Sequence, residues 1–221
     1  MEGFVLKNNL IYQTSEYDCG TACLVNALRY LYERDEIIPE VLKAMYTFSL
    51  DCFDDDGKPG FSGTSKACMH YIAYWLNHYS KTHTFQIKAK EYSDQCIKIE
   101  ENNGFGQFLK KGGCILLRVW LETGHYILLT GIDSENIYLF DPYYEEIGTK
   151  EYDFLSKVDG VTIVHDHPKQ YNRIVKISMI NDLSNDYYHQ GPIKKHQALC
   201  ICNPKQCDLN CLPANQYDPN F

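Results

Sequence analysis

The chain has 221 residues, enough for one core with some elaboration, and its composition of 44% hydrophobic and 23% charged residues is that of a globular protein rather than a disordered or fibrous one. A net charge of -8 argues against the broad basic surface that phosphate backbones require, so nucleic acid is not an expected partner. No stretch reaches the roughly 18 apolar residues that span a bilayer, and the opening MEGFVLKNNLIYQ is not an export signal, so a cytoplasmic chain without membrane contact is expected.

Ten cysteines are scattered through the chain without the short secreted frame that would make them a disulfide scaffold, so reduced thiols are expected. Residues 20–32, GTACLVNALRYLY, place Ala22, Cys23, Ala27, Leu28 and Leu31 near helical spacing, with Asn26 and Arg29 as polar interruptions. This predicts a largely buried helix starting at Cys19, with Asp18 as N-cap accepting the free amide hydrogens of its first turn. Pro39 opens a second helical pattern, PEVLKAMYTFSL, and the acidic, glycine-bearing DCFDDDGKPGFSG ends it as a surface loop. A third helix, TSKACMHYIAYWLNHY, is marked at its start by Thr64 or Ser65.

TFQIKAKEY alternates as a strand does, GFGQFLKK suits a short helix stopped at Gly112-Gly113, and CILLRVWL has the length of a buried strand. GHYILLTGI and NIYLFDPYY flank the turn-forming DSEN and predict a hairpin; GVTIVH and RIVKISMI predict two more strands. From about residue 183 the periodicity fails in a stretch rich in Asn, Pro and Cys. The expected organisation is therefore a domain over residues 1–182 and a cysteine-rich tail over 183–221. Helices first and a mainly antiparallel sheet afterwards make the expected fold class α+β.

A thiol is a good nucleophile only as thiolate, and the positive end of a helix stabilises that form, more so beside a protonated imidazole. Cys19 stands at such a helix start. The alternative, a buried thiol packed as a small hydrophobe, suits Cys23, Cys68 and Cys114 better, since Cys23 lies one turn inside the helix. The predicted hairpin brings His125 and Asp141 to the same edge of the sheet, the arrangement of a base and the carboxylate that fixes its tautomer. Asp141 precedes Pro142, so a plain turn residue is its other explanation. Gln13, six positions before Cys19, offers an amide beside the Cys19 backbone N–H as a donor for a developing oxyanion.

QTSEYDCGTACLVNALRYLY, GTSKA, GHYILLTGID and YLFDP, in this order and at these separations, resemble the papain-like peptidase domain of the bacteriocin-processing family, which cleaves double-glycine leader peptides. The similarity covers about residues 8–165. It implies a papain-like fold, with Cys19 as nucleophile, His125 as base, Asp141 as its orienting acid, Gln13 in the oxyanion hole, and a peptide or protein as substrate. The membrane span and ATP-binding cassette to which leader peptidases are usually fused have no counterpart in this sequence, so bacteriocin export is not an expectation. TGHYILLTGID and MYTFSLD are also similar to the plant-type soluble guanylyl cyclase family.

The expected activity is thiol-dependent cleavage of a peptide or amide bond, with no cofactor required. Two rivals stand beside it. One is a catalytically silent peptide-binding module; the other is cyclase-type nucleotide chemistry, for which no glycine-rich phosphate loop is present. In the tail, His196, Cys200, Cys202, Cys207 and Cys211 lie within sixteen positions and offer ligands that zinc favours, although the Cys-x-Cys-x4-Cys-x3-Cys spacing is not that of a common zinc ribbon.

Overall fold

The computed structural model describes residues 8–215; residues 1–7 and 216–221, the last of which end the expected tail, lie outside the described residues. Helix α1 spans Cys19–Leu31, α2 spans Pro39–Phe48 with proline in its first turn, and α3 spans Lys66–Thr82. Ser65 caps α3 by accepting the Cys68 N–H. Helix α1 is buried along nearly its whole length, with Leu24, Ala27 and Leu28 shielded from solvent. Its two polar interruptions have a structural use. The Asn26 amide accepts from Ile11 N–H at 2.7 Å and donates to Ile11 carbonyl at 2.9 Å, and Arg29 Nε donates to the Asn9 carbonyl at 2.6 Å. Together they bind the strand-like segment that leads into Gln13.

The sheet is built from β1 (Lys88–Ser93), β2 (Cys114–Leu121), β3 (Thr123–Ile132), β4 (Asn136–Phe140), β5 (Val161–Ile163), β6 (Arg173–Lys176) and β7 (Gln197–Cys202). Its order is β1-β7-β2-β3-β4-β6-β5, with every neighbouring pair antiparallel. Three short helices lie between strands: α4 (Gly104–Lys110), α5 (Lys150–Leu155) and α6 (Ile177–Ile180). Alternate residues of the strands feed two cores. Leu116, Tyr126, Leu128, Phe140, Leu199 and Ile201 pack beneath α1, α2 and α3. Ile115, Leu117, Ile127, Leu129, Leu139 and Cys200 pack on the opposite face with Phe105 and Phe108 of α4. Both faces are covered, which is why CILLRVWL reads as a continuous apolar run instead of an alternation.

Three expectations need correction. Residues 183–215 are not an extended tail: β7 lies between β1 and β2, pairing Ser93 with Gln197 on one side and Leu117 with Ala198 on the other, so a boundary at residue 182 cuts through one sheet. Its run QALCIC has no alternation because all six residues are buried, and the breakers around it hide a strand of six. RIVKISMI is a strand only to Lys176, because Lys176 pairs with Asn136, the first residue of β4; past one last bond from Ile177 N–H to the Glu135 carbonyl at 2.9 Å the chain coils into α6. Helix α5, capped by Thr149 accepting the Tyr152 N–H, falls where no element was expected.

Candidate active site

Cys19 opens α1, and a side chain at Gly20 is excluded by close packing, since a Cβ there would sit 2.4 Å from Thr64 Oγ1. The turn before the helix is organised by Asp18, though not as a cap on the first turn. Its carboxylate faces backwards and accepts from the backbone N–H groups of Thr14 at 3.1 Å and Ser15 at 2.8 Å and from both hydroxyls. Burial pushes the Asp18 carboxyl up, but these donors outweigh it and hold it below its usual range. The expected capping bond is absent because those four donors use the carboxylate first.

His125, near the start of β3, donates through Nε2–H to Asp141 Oδ1 at 2.8 Å, which leaves Nδ1 for the Cys19 sulfur, with which the ring also hydrogen-bonds. Burial pushes the Cys19 thiol up, but the charge and hydrogen bond of His125, with the backbone N–H groups of Tyr126 and Gly20, overcome it and bring the thiol below its ordinary range. Burial lowers His125, and Asp141 and Cys19 reverse this and raise it to about 10. Asp141 is held ionised despite its burial, chiefly by His125. The opposite shifts of the two groups favour a thiolate–imidazolium pair. Cys23, one turn later, behaves oppositely: burial and the charges of Cys19 and Asp141 push it well up, and its neutral thiol donates to Tyr126 carbonyl at 3.2 Å.

Asp141 is held by residues that the sequence did not single out. Asn172 clamps its backbone, accepting its N–H at 2.7 Å and donating to its carbonyl at 2.8 Å. Tyr143 N–H donates to Oδ1 at 2.9 Å, and Tyr188 O–H donates to Oδ2 at 2.7 Å. Tyr188 is fully buried, sits at a left-handed φ of 62°, and is kept neutral by burial and by the adjacent carboxylate, so it serves as a donor. Arg173, also buried, hydrogen-bonds Tyr188 and completes an alternating run of charge: sulfur negative, imidazole positive, carboxylate negative, guanidinium positive. The only signal for Asn172 and Arg173 was that polar residues open an otherwise apolar strand; Tyr188 had none.

Tyr188→Phe keeps the ring and deletes the donor. It is expected to lower kcat about tenfold with KM little changed, because Asp141 then loses one of its positioning bonds, worth about 1–3 kcal/mol. Steady-state kinetics on the variant checks this, and an unaltered kcat with lowered thermal stability would leave Tyr188 a packing residue only.

Gln13 lies against the Asp141 loop and in the wall of the same cleft as His125. Its N–H donates to Pro142 carbonyl at 2.8 Å, tying it to the Asp141 loop, and its amide nitrogen donates one hydrogen to Ser15 carbonyl at 2.9 Å and retains a second. Gln13 and His125 together line a cleft of about 570 Å3.

The cysteines at the carboxyl end do not gather as a ligand set. Among the described residues no group of three or more Cys, His, Asp or Glu is arranged to hold a metal ion. Both nitrogens of His196 are engaged, Nδ1 with Ile97 N–H at 3.3 Å and Nε2 with Gly191 carbonyl at 2.9 Å, while Cys200 and Cys202 are buried in the apolar core and Cys211 is only partly buried beside it. Cys202 instead pairs with Cys207, donating to its carbonyl at 3.7 Å. The zinc expectation is corrected on this ground: strand geometry buries these thiols as apolar packing.

Helices packed on an antiparallel sheet, with a cysteine at the first turn of the central helix facing a histidine on the sheet, define a papain-like cysteine peptidase as a class. Residues 5–179 match the Peptidase_C39 like family, and the chain belongs to that family of cysteine peptidases. No curated protein matches the sequence at a significant level. No helix among the described residues is long and apolar enough to cross a membrane. Tyr188 and β7 lie beyond the matched residues, so family membership alone does not point to them.

Proposed function

We propose that this protein is a thiol peptidase in which Cys19 is the nucleophile, His125 the acid and base, Asp141 the orienting carboxylate and Gln13 an oxyanion donor. The carrying observation is the imidazole of His125 between Cys19 and Asp141, with its proton held firmly and the thiol's held weakly. The thiolate attacks a peptide carbonyl, and the negative charge moves to the carbonyl oxygen, where the second Gln13 amide hydrogen and the Cys19 N–H receive it. His125 gives its proton to the leaving nitrogen as the carbon–nitrogen bond breaks, leaving a thioester. His125, now neutral, takes a proton from water as it attacks; the acid departs and the ion pair is restored. No metal or cofactor enters these steps.

The resemblance to double-glycine leader peptidases contributes the reaction class to this reading, and the double-glycine preference is left to it. Cyclase chemistry is not favoured, because the cleft beside His125 is lined by glutamates that repel a triphosphate. The ten cysteines are all unpaired, which suits a thiolate enzyme working in the reducing cytoplasm.

The test is a pH–rate profile with a peptide substrate. The active ion pair exists above the lowered titration of Cys19 and below the raised titration of His125. Activity should therefore rise on the acid side below the ordinary thiol range and fall as pH approaches about 10, as the pair titrates together. An acid limb near the ordinary thiol value of about 8.5 contradicts the resting ion pair.

A further inference from the structure

The cleft beside His125 carries a charge pattern that hydrolysis itself does not require. Glu16, Glu122, Glu145 and Glu151 line it, against Lys150 and the buried imidazole of His125. Among the described residues none of these four carboxylates forms an ion pair. Their field is felt by their neighbours. Burial, and then Glu145, Glu16, Glu151 and Glu122, raise the phenol of Tyr143. Burial also raises Tyr187, to about 12, together with its O–H bond to Glu122 Oε1 at 2.6 Å. Glu145 is pushed up as well, first by burial and then by Asp141 and Glu151, against the pull of Arg173. Gln13, which also lines the cleft, has a buried Oε1 without a hydrogen-bond partner.

Three rings share these walls. Tyr143, Phe154 and Tyr187 line the cleft, with Phe154 and Tyr187 packed at 5.1 Å between centroids. Aromatic faces beside unpaired carboxylates suit a lysine or arginine side chain, whose apolar stem lies on the ring while its charged head meets the acid. A free anion or an acidic peptide meets repulsion there. The cleft includes His125 and Gln13 in its wall and not Cys19. His125 is the group that must reach the leaving nitrogen, so the fragment on this side is the one released as the amine.

Resting on the peptidase reading, we propose that this cleft binds the amine-side stretch of a peptide substrate and selects lysine or arginine there. The four glutamates supply the selectivity, and the aromatic residues hold the stem. The substrate class is thus a cationic peptide or a basic segment of a protein.

The test uses binding, so that it does not depend on turnover. Fluorescein-labelled alanine–serine peptides carrying two lysines, two glutamines or two glutamates are titrated into the full-length Cys19→Ala protein and followed by anisotropy. The lysine peptide is expected to bind about tenfold tighter than the glutamine peptide at low ionic strength and the glutamate peptide weakest, with the advantage shrinking toward unity at high salt. Glu145→Gln with Glu151→Gln should reduce the lysine advantage; if that variant does not fold, the salt dependence of the unaltered cleft is the deciding measurement. Equal binding of the three peptides, or no binding of the lysine peptide at millimolar concentration, overturns the inference. Lysine preference with no peptide hydrolysis by the Cys19 protein would instead end the peptidase reading and leave the cleft's specificity standing, whereas Cys19-dependent hydrolysis without lysine preference does the reverse.

Discussion

Cys19→Ala is expected to lower kcat/KM for peptide hydrolysis by about 10^5-fold, to a level no higher than that left by binding and oxyanion stabilisation alone. The size follows from the unit character of the site. In the proposed mechanism the thiolate is the bond-forming atom, and its ionisation depends on His125, whose own charge depends on Asp141 and the thiolate in return. His125→Ala should therefore cost nearly as much, and the double variant little more than either single one, the non-additivity expected when two groups act in one step. Asp141→Asn has a different signature. It removes the partner that raises His125, so the alkaline limb of the pH profile moves down, and it leaves buried Arg173 without its negative neighbour, at a cost of about 3–5 kcal/mol in stability. Measured kcat/KM for the Cys19, His125 and double variants checks the pattern; additive losses would show that the two side chains act separately.

The second large effect concerns the carboxyl-terminal segment. A chain cut after residue 182 loses β7, and with it the partner that joins β1 to β2. It also loses the buried residues Ala198, Leu199, Cys200, Ile201 and Cys202, which pack on both faces of the sheet, and Tyr188, which holds Asp141. At about 1.5–3 kcal/mol for each large buried side chain, the loss is on the order of 10 kcal/mol, comparable to the whole stability of a typical domain. The shortened chain is expected to show no cooperative thermal transition and no near-ultraviolet circular dichroism. A shortened protein that melts cooperatively and keeps its activity would show that the segment is an appendage after all.

The geometry of the candidate site was legible where local chemistry alone determined it. A cysteine behind a polar turn and before a buried helix, and a histidine and an aspartate on the two arms of one hairpin, are short-range patterns, and folding a hairpin around DSEN suffices to bring His125 and Asp141 to 2.8 Å. Gln13 needed one longer link, supplied by Asn26 and Pro142. What lay hidden was determined by distant pairing. Nothing within QALCIC says that it enters between β1 and β2, because the partners that satisfy its backbone are about 80 to 110 residues earlier in the chain. The same holds for Tyr188, whose hydroxyl meets a carboxylate 47 positions away. The zinc reading failed for a related reason: ligand density along the chain says nothing about which face of a strand the thiols occupy, and burial in an apolar core turned them from ligands into packing.

The central claim is that one of ten thiols is ionised at rest by an adjacent imidazolium. Its most direct measurement is the rate of iodoacetamide alkylation at each cysteine, followed by mass spectrometry across pH in the native protein and in His125→Ala. The account predicts that Cys19 is modified fastest on the acid side of neutrality, ahead of the exposed Cys96, and that His125→Ala moves its titration up toward the ordinary thiol value of about 8.5 or beyond. Cys19 reacting no faster than Cys96 at low pH, or keeping its titration without the imidazole, would contradict it.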